Sequence, residues 1–181
     1  MFSENRAVFL DRDGVLNKAI IRDGKPYPPA SLNEAVILPG VKYALPILKR
    51  EGFFLIGITN QPDVARGKQS CEVVESINSY LLNQLPVLEI FVCYHDNNDN
   101  CDCRKPQPGL ILQAAKKYKI DLTKSYMVGD RWKDIGAGKR AGCKTIFIDY
   151  HYDESLNDLE PDYSVNDVSK IIEIIIPNWR K

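Results

Sequence analysis

Two aspartates set two residues apart, Asp11 and Asp13, end the apolar run Val8-Phe9-Leu10 and are followed at once by Gly14. Side chains at i and i+2 of a strand share a face, so both carboxylates would leave the end of a strand together. Carboxylates aimed at one spot repel each other unless a cation or a shared proton lies between them. Gly14 lets the chain turn away, because it takes positive φ at no steric cost. Alone, such a pair could equally cap a turn, so its meaning rests on its company. A second group crowds into eleven residues: Cys93, His95, Cys101 and Cys103, spaced C-x-H-x5-C-x-C in an Asn/Asp-rich stretch. Three thiols and one imidazole make a closed tetrahedral zinc set of the structural kind. Cysteine is usually buried, so three in so polar a loop call for a metal. An odd total of five cysteines disfavours a disulfide framework.

The elements that must position these residues follow from the apolar pattern. Phe53-Phe54-Leu55-Ile56-Gly57-Ile58 reads as a strand buried on both faces and runs into Thr59-Asn60-Gln61. Glu89 to Tyr94 reads as a strand leading into the cysteine group, Tyr126 to Asp130 as a short strand ending in an acid, and Lys144 to Asp149 as a fifth. Helical spacing appears after Pro39-Gly40 (Val41, Ala44, Leu45, Leu48), over Ser70 to Leu85, after Gly109, over Asp134 to Ala141, and over Asp167 to Ile176. Gly52 fits a helix C-cap, whereas Pro46 inside the first helix should cost it a hydrogen bond or kink it. Residues 18–38, with Asp23-Gly24 and Pro26-Tyr27-Pro28-Pro29, read as a long loop arching over the first strand, and an edge strand is expected near Tyr163. Alternating strands and helices imply an α/β, three-layer α/β/α sandwich with a mainly parallel, Rossmann-like central sheet. Ligands of such sheets bind at the carboxyl ends of the strands, where Asp11, Thr59, Cys93 and Asp130 all fall.

At 181 residues the chain reads as one domain, 1–181, with no segment long enough for a folded cap. Its 44% hydrophobic and 27% charged residues are ordinary for a globular protein. Zero net charge and a pI near 6.7 argue against nucleic-acid or membrane partners. No apolar run approaches the ~18 residues of a membrane span. Met1 to Arg6 lacks the basic start and apolar core of a signal peptide, so a cytoplasmic protein is expected, working as a monomer.

Taken together, Asp11-Arg12-Asp13-Gly14-Val15, Thr59, Lys105-Pro106, and Gly129-Asp130 with Asp134 resemble, in order, the four motifs of the haloacid-dehalogenase-type (HAD-like) phosphohydrolases. The resemblance runs from about Ala7 to Ile148. It implies Asp11 as a nucleophile forming an aspartyl-phosphate, Asp13 as general acid and then base, and Thr59 and Lys105 as the holders of the phosphoryl oxygens. It further implies Mg²⁺ held by the Asp11 carboxylate, the Asp13 backbone carbonyl and the Asp130 carboxylate, oxygen ligands that suit this ion. Asp134 would hold a metal-bound water or cap the following helix.

Cys101-Asp102-Cys103-Arg104-Lys105-Pro106 resembles a narrower branch, the heptose bisphosphate and histidinol-phosphate phosphatases, which share the four zinc ligands. By that resemblance zinc fixes the loop presenting Arg104 and Lys105. Arg104 would recognise substrate, where a guanidinium suits a second phosphate or a hydroxyl pair. Asn60, Gln61, Arg66 and Arg131 complete the implied substrate-binding set. The continuations Val64-Ala65-Arg66-Gly67 and Pro108-Gly109-Leu110 are similar to the heptose side. Pro62-Asp63 in place of a Ser-Gly pair, and Arg131 in place of a lysine, depart from it. The implied activity is removal of the 7-phosphate of a heptose 1,7-bisphosphate, a step toward cell-surface polysaccharide precursors. Histidinol phosphate is the alternative substrate, and a zinc-stapled binding module without activity the alternative of another class. Gly136-Ala137-Gly138-Lys139-Arg140 imitates a nucleotide loop, but no strand leads directly into its glycines.

Overall fold

The computed structural model describes residues 5–179. Residues 1–4, on which the expectation of no signal peptide partly rests, and 180–181 lie outside the described residues. The elements run β1 (Arg6–Leu10), β2 (Ile20–Arg22), β3 (Lys25–Tyr27), α1 (Pro39–Arg50), β4 (Phe53–Asn60), α2 (Pro62–Ala65), α3 (Cys71–Gln84), β5 (Glu89–Cys93), α4 (Gly109–Tyr118), β6 (Tyr126–Gly129), α5 (Trp132–Ala141), β7 (Lys144–Ile148), β8 (Tyr163–Val165) and α6 (Ile171–Ile175). Six strands form one sheet in the order β5-β4-β1-β6-β7-β8, every adjacent pair parallel.

The layers follow from strand alternation. Val8 and Leu10 point into a core built with Val41, Leu45 and Leu48 of α1, Ile77 of α3 and Ile171 of α6. Ala7 and Phe9 point the other way, onto Leu110, Ile111 and Ala114 of α4 and Ala137 of α5. A strand covered on both faces must be apolar at every position, which is why β1 and β4 read as unbroken runs. The chain leaves β1 for β4 on one side and reaches β6 on the other. The strand order therefore reverses beside β1, and the crevice beyond its carboxyl end is the binding place in sheets of this kind.

Residues 18–38 are more ordered than a loop. Asp23 (φ 49°) and Gly24 (φ 71°) form a two-residue turn that joins β2 and β3 as an antiparallel hairpin, the arrangement that Asp-Gly favours because both central residues take positive φ. A 3₁₀ turn follows at Leu32–Glu34. The last helix is shorter than its pattern, a 3₁₀ turn at Val168–Lys170 followed by α6, and α5 begins two residues before Asp134. Pro46 stands within α1 on its solvent face, where water can satisfy the carbonyl that the ring leaves without a donor. Among the described residues, no connection between elements holds a cap domain, and no helix is long and apolar enough to cross a membrane.

Candidate active site

Residues at the carboxyl ends of β1 and β4 (Asp11, Asp13, Thr59, Asn60) and in the segments that follow β5 and β6 (Asn97, Arg104, Lys105, Arg131) line one cavity of ≈ 270 Å³. The Asp11 amide donates to the Val128 carbonyl at 3.0 Å, which extends the β1–β6 ladder by one bond and sets Asp11 at the sheet's rim. The Asp11 carboxylate is 7% exposed, Lys105 3%, Asp130 2% and Asp134 1%. Lys105 Nζ, from the segment after the cysteine group, donates to Asp11 Oδ1 at 2.6 Å, Asp134 Oδ1 at 2.6 Å and the Ile58 carbonyl at 2.8 Å. Burial alone would lower the lysine's pKa, but the Asp11 and Asp134 charges outweigh it and keep the ammonium protonated.

One ammonium does not balance three acids. Carboxylate oxygens of Asp11, Asp130 and Asp134 lie within 4.8 Å of one another. Burial first, then the Asp134 and Asp13 charges, push Asp11 up to about 7 against the pull of Lys105. Asp130 is pushed well above the usual carboxylate range by burial and by Asp11 and Asp134. Both Asp130 oxygens are buried without a hydrogen-bond partner, a state that is costly unless a cation takes the place of donors. Hard oxygen donors converging on an orphaned carboxylate fit a magnesium ion. The backbone has been shaped to allow this approach: Gly14 has φ +99°, and a Cβ there would stand 1.8 Å from Asp130 Oδ2. Asp134 also accepts from the Arg131 amide at 3.1 Å through Oδ2. It thus caps α5 with one oxygen and holds Lys105 with the other.

Asp13 is fixed from three sides. Arg12 Nε and Nη2 reach its two oxygens at 3.0–3.2 Å, Asn17 Nδ2 donates to Oδ1 at 2.9 Å, and Gln61 Nε2 to Oδ2 at 2.8 Å. Arg12 is completely buried. Its Nη1 donates to Asn78 Oδ1 on α3 at 3.0 Å, while its carbonyl accepts from Leu16 and Asn17 as the chain turns. The sequence pattern assigned Arg12 no task; the signal for one was an arginine placed between two acids at a strand end.

Thr59, Asn60, Arg66, Arg104 and Arg131 line the cavity with Asp11, Asp13 and Lys105. Gln61 does not, which corrects its assignment to substrate contact. It is wholly buried, and its amide nitrogen donates to Asp13 and, at 2.9 Å, to Thr59 Oγ1, while Oε1 is buried without a partner. Asp130 borders a smaller adjoining cavity with Tyr150 and Tyr152. Lys25 and Tyr27 of the hairpin, Asn97 and Lys133 also line the main cavity. Lys25 reads from the sequence as a plausible extra contact or as solvated surface charge; Tyr27, Asn97 and Lys133 did not belong to the predicted site set.

The cysteine group closes as a second centre. Sγ atoms of Cys93, Cys101 and Cys103 stand 3.0–3.7 Å apart, and His95 Nδ1 lies 3.6 Å from Cys93 and 3.2 Å from Cys103. Ligands around a tetrahedral zinc, with Zn–S of about 2.3 Å, are separated by about 3.7 Å, so the donor type and spacing fit that ion. The loop between His95 and Cys101 also reaches two cavity-lining arginines. Asp96 accepts both Nε and Nη2 of Arg66 at 2.7 and 2.6 Å, and Asn97 Oδ1 accepts from Arg104 Nε at 3.0 Å. Arg66 pulls the Asp96 carboxyl down to about 2.

Comparison with known proteins decides the family. Residues 102–171 match the HAD-hydrolase-like family model. The D-glycero-beta-D-manno-heptose-1,7-bisphosphate 7-phosphatase of Helicobacter pylori strain J99 is 36% identical over 154 residues, 82% of this chain and 85% of the relative. The chain belongs to the HAD-like hydrolases. Another HAD-like relative, the D-glycero-alpha-D-manno-heptose-1,7-bisphosphate 7-phosphatase of Photorhabdus laumondii, is 36% identical over 79% of this chain and 81% of its own length. Among solved HAD-like structures, the D,D-heptose 1,7-bisphosphate phosphatase of B. bronchiseptica, complexed with magnesium and phosphate, superposes with a TM-score of 0.79 at 27% identity. That match covers 96% of this chain and 99% of the other.

Proposed function

We propose that this HAD-like hydrolase removes the 7-phosphate of a heptose 1,7-bisphosphate through an aspartyl-phosphate on Asp11. The observation that carries the chemistry is Lys105 Nζ at 2.6 Å from both Asp11 and Asp134 inside a buried cluster of three acids. An ammonium paired with a strand-end carboxylate, beside a second aspartate held separately, is the equipment of nucleophilic phosphoryl transfer. The substrate is supported by the names of relatives that match about four-fifths of the chain and by a cavity wall rich in Lys and Arg.

In this mechanism an Asp11 oxygen attacks phosphorus while the bond to the sugar oxygen breaks, and Asp13 gives that oxygen its proton. Asp13 then takes a proton from water as the water attacks the aspartyl-phosphate, releasing inorganic phosphate and restoring Asp11. Arg12, Asn17 and Gln61 hold Asp13 in place for both transfers. Lys105 and the Thr59 hydroxyl offset the charge that grows on the phosphoryl oxygens. The Asp11 and Asp130 carboxylates and the Asp13 carbonyl would hold magnesium, with Asp134 alongside. When bound, the ion neutralises the acids and polarises the phosphoryl group. Cys93, His95, Cys101 and Cys103 would hold a structural zinc, and Arg66, Arg104 and Arg131 would receive the rest of the substrate. A free sugar phosphate, met by a monomer in the cytoplasm, suits a chain of zero net charge.

The test is phosphate release with Mg²⁺ from both anomers of heptose 1,7-bisphosphate and from histidinol phosphate, with zinc content measured on the same preparation. A preference for one heptose of at least about tenfold in kcat/KM, ~1.4 kcal/mol, is expected, with one zinc per chain. A reverse preference would overturn the substrate. Turnover retained by Asp11→Asn would overturn the covalent mechanism.

A further inference from the structure

Most of the cations facing the cavity are already committed to the protein. Arg66 is forked onto Asp96 and also reaches Asp63, Arg131 is forked onto Glu154 at 2.7 Å, and Lys105 serves the acid cluster. Arg104 spends its Nε on Asn97 and Nη1 on the His95 carbonyl, leaving Nη2 4.0 Å from Asp96. Lys133 differs. It makes no hydrogen bond or ion pair with any described residue, yet it is partly buried at the second position of α5. Its amine stands 5.5 Å from the centre of the Trp132 ring. It also lies where two spaces join: Lys133, Arg104 and Asn97 line both the catalytic cavity and a groove of ≈ 430 Å³ that continues over Trp132 beside the cysteine loop.

A half-buried ammonium facing Arg104 and Arg131, with its one acidic neighbour Glu154 already forked onto Arg131, is favoured by an arriving anion. Lys25, on the hairpin, is also unpaired among the described residues, but it is exposed, so water solvates it.

We propose that Lys133, beside Arg104, is the specificity-determining cation for the second phosphate of the substrate, the one that is not hydrolysed. This rests on the sugar-bisphosphate reading above and adds the residue that would tell a bisphosphate from a monophosphate. The reacting phosphate lies at Asp11 and Lys105; the sugar spans the cavity; the remote phosphate reaches the junction with the groove. An ammonium there acts as a point charge that tolerates the approach angle of a phosphate on a flexible sugar.

The test uses the intact enzyme with Mg²⁺ and two substrates that differ only in the second phosphate, heptose 1,7-bisphosphate and heptose 7-phosphate. The readout is the ratio of their kcat/KM values in the wild type, K133M, K133R and K25M. K133M should lose at least about tenfold of the wild-type ratio, mostly through the KM for the bisphosphate, and K133R should keep most of it. A K133M ratio within twofold of the wild type's would overturn the assignment of Lys133, as would a collapse of the ratio in K25M instead. A wild type without preference for the bisphosphate would overturn the substrate reading itself, and this proposal with it.

Discussion

Asp96 holds Arg66 by two parallel hydrogen bonds of 2.7 and 2.6 Å, from a position one residue beyond His95. The fork ties this cavity-lining arginine to the cysteine loop, so the loop and the cavity wall are coupled. Paired contacts of this geometry fix direction as well as charge. Asp96→Ala should therefore let Arg66 swing free and raise KM for the bisphosphate by about fivefold, with kcat changed less than about threefold, the pattern of lost binding rather than lost chemistry. Steady-state kinetics checks this, and an equal fall in kcat would place Asp96 in the reacting machinery instead.

Arg12 stabilises two things at once. It neutralises Asp13 from a position with no exposure to water and reaches Asn78 on α3. Removing one partner of a buried pair leaves the other charge uncompensated, at a cost of about 3–5 kcal/mol. Arg12→Ala should lose stability on that scale in urea unfolding and lose more than about tenfold in kcat, since Asp13 is no longer aimed. Arg12→Lys should fall between, because an ammonium cannot reproduce the fork. Wild-type stability in the alanine variant would show that Asn17 and Gln61 hold Asp13 unaided.

The acid cluster gives the magnesium-free protein a pH-dependent weakness. Asp130 and Asp11 are raised by burial, so the folded chain holds protons that the unfolded chain has released. Stability is then greatest below the unfolded carboxylate value of about 3.9 and falls as the pH rises through the folded values, which for Asp11 is about 7. In Mg²⁺-free buffer with zinc retained, Asp130→Asn should unfold at the wild-type temperature near pH 4 and about 3 °C higher at pH 7, roughly 1 kcal/mol. Added Mg²⁺ should stabilise the wild type and leave the variant unmoved. A thermal-melt series over that pH range decides it, and parallel curves would mean that Asp130 sheds its charge cost some other way.

Strands covered on both faces announce themselves, so β1, β4 and β6 and the polar residues at their ends were legible without coordinates. So were the cysteine donors, whose chemistry is carried by type and spacing. What could not be read were contacts between distant parts of the chain. Gln61 follows Thr59 and Asn60 and looks like a substrate contact, but it turns inward to a carboxylate 48 residues earlier. The burial of Arg12 depends on an asparagine 66 residues away. The hairpin was hidden because its strands are three residues long and one holds Pro26, a residue that reads as a loop signal anywhere but at a sheet edge. Lys133 gave no signal, since its meaning lies in having no partner.

Asn60 grips the backbone of Lys105 in both directions: its amide donates to the Lys105 carbonyl and its oxygen accepts from the Lys105 amide, each at 3.0 Å. The side chain thus imitates a neighbouring strand at a point where the sheet has ended. Because Asn60 belongs to the interior strand β4, Lys105 inherits the rigidity of the sheet, although it follows the cysteine loop in the chain. Arg104, one residue earlier, leans on Asn97 and His95 within the loop. Two adjacent cations therefore have separate anchors, and a loosened cysteine loop would displace Arg104 before it displaced Lys105.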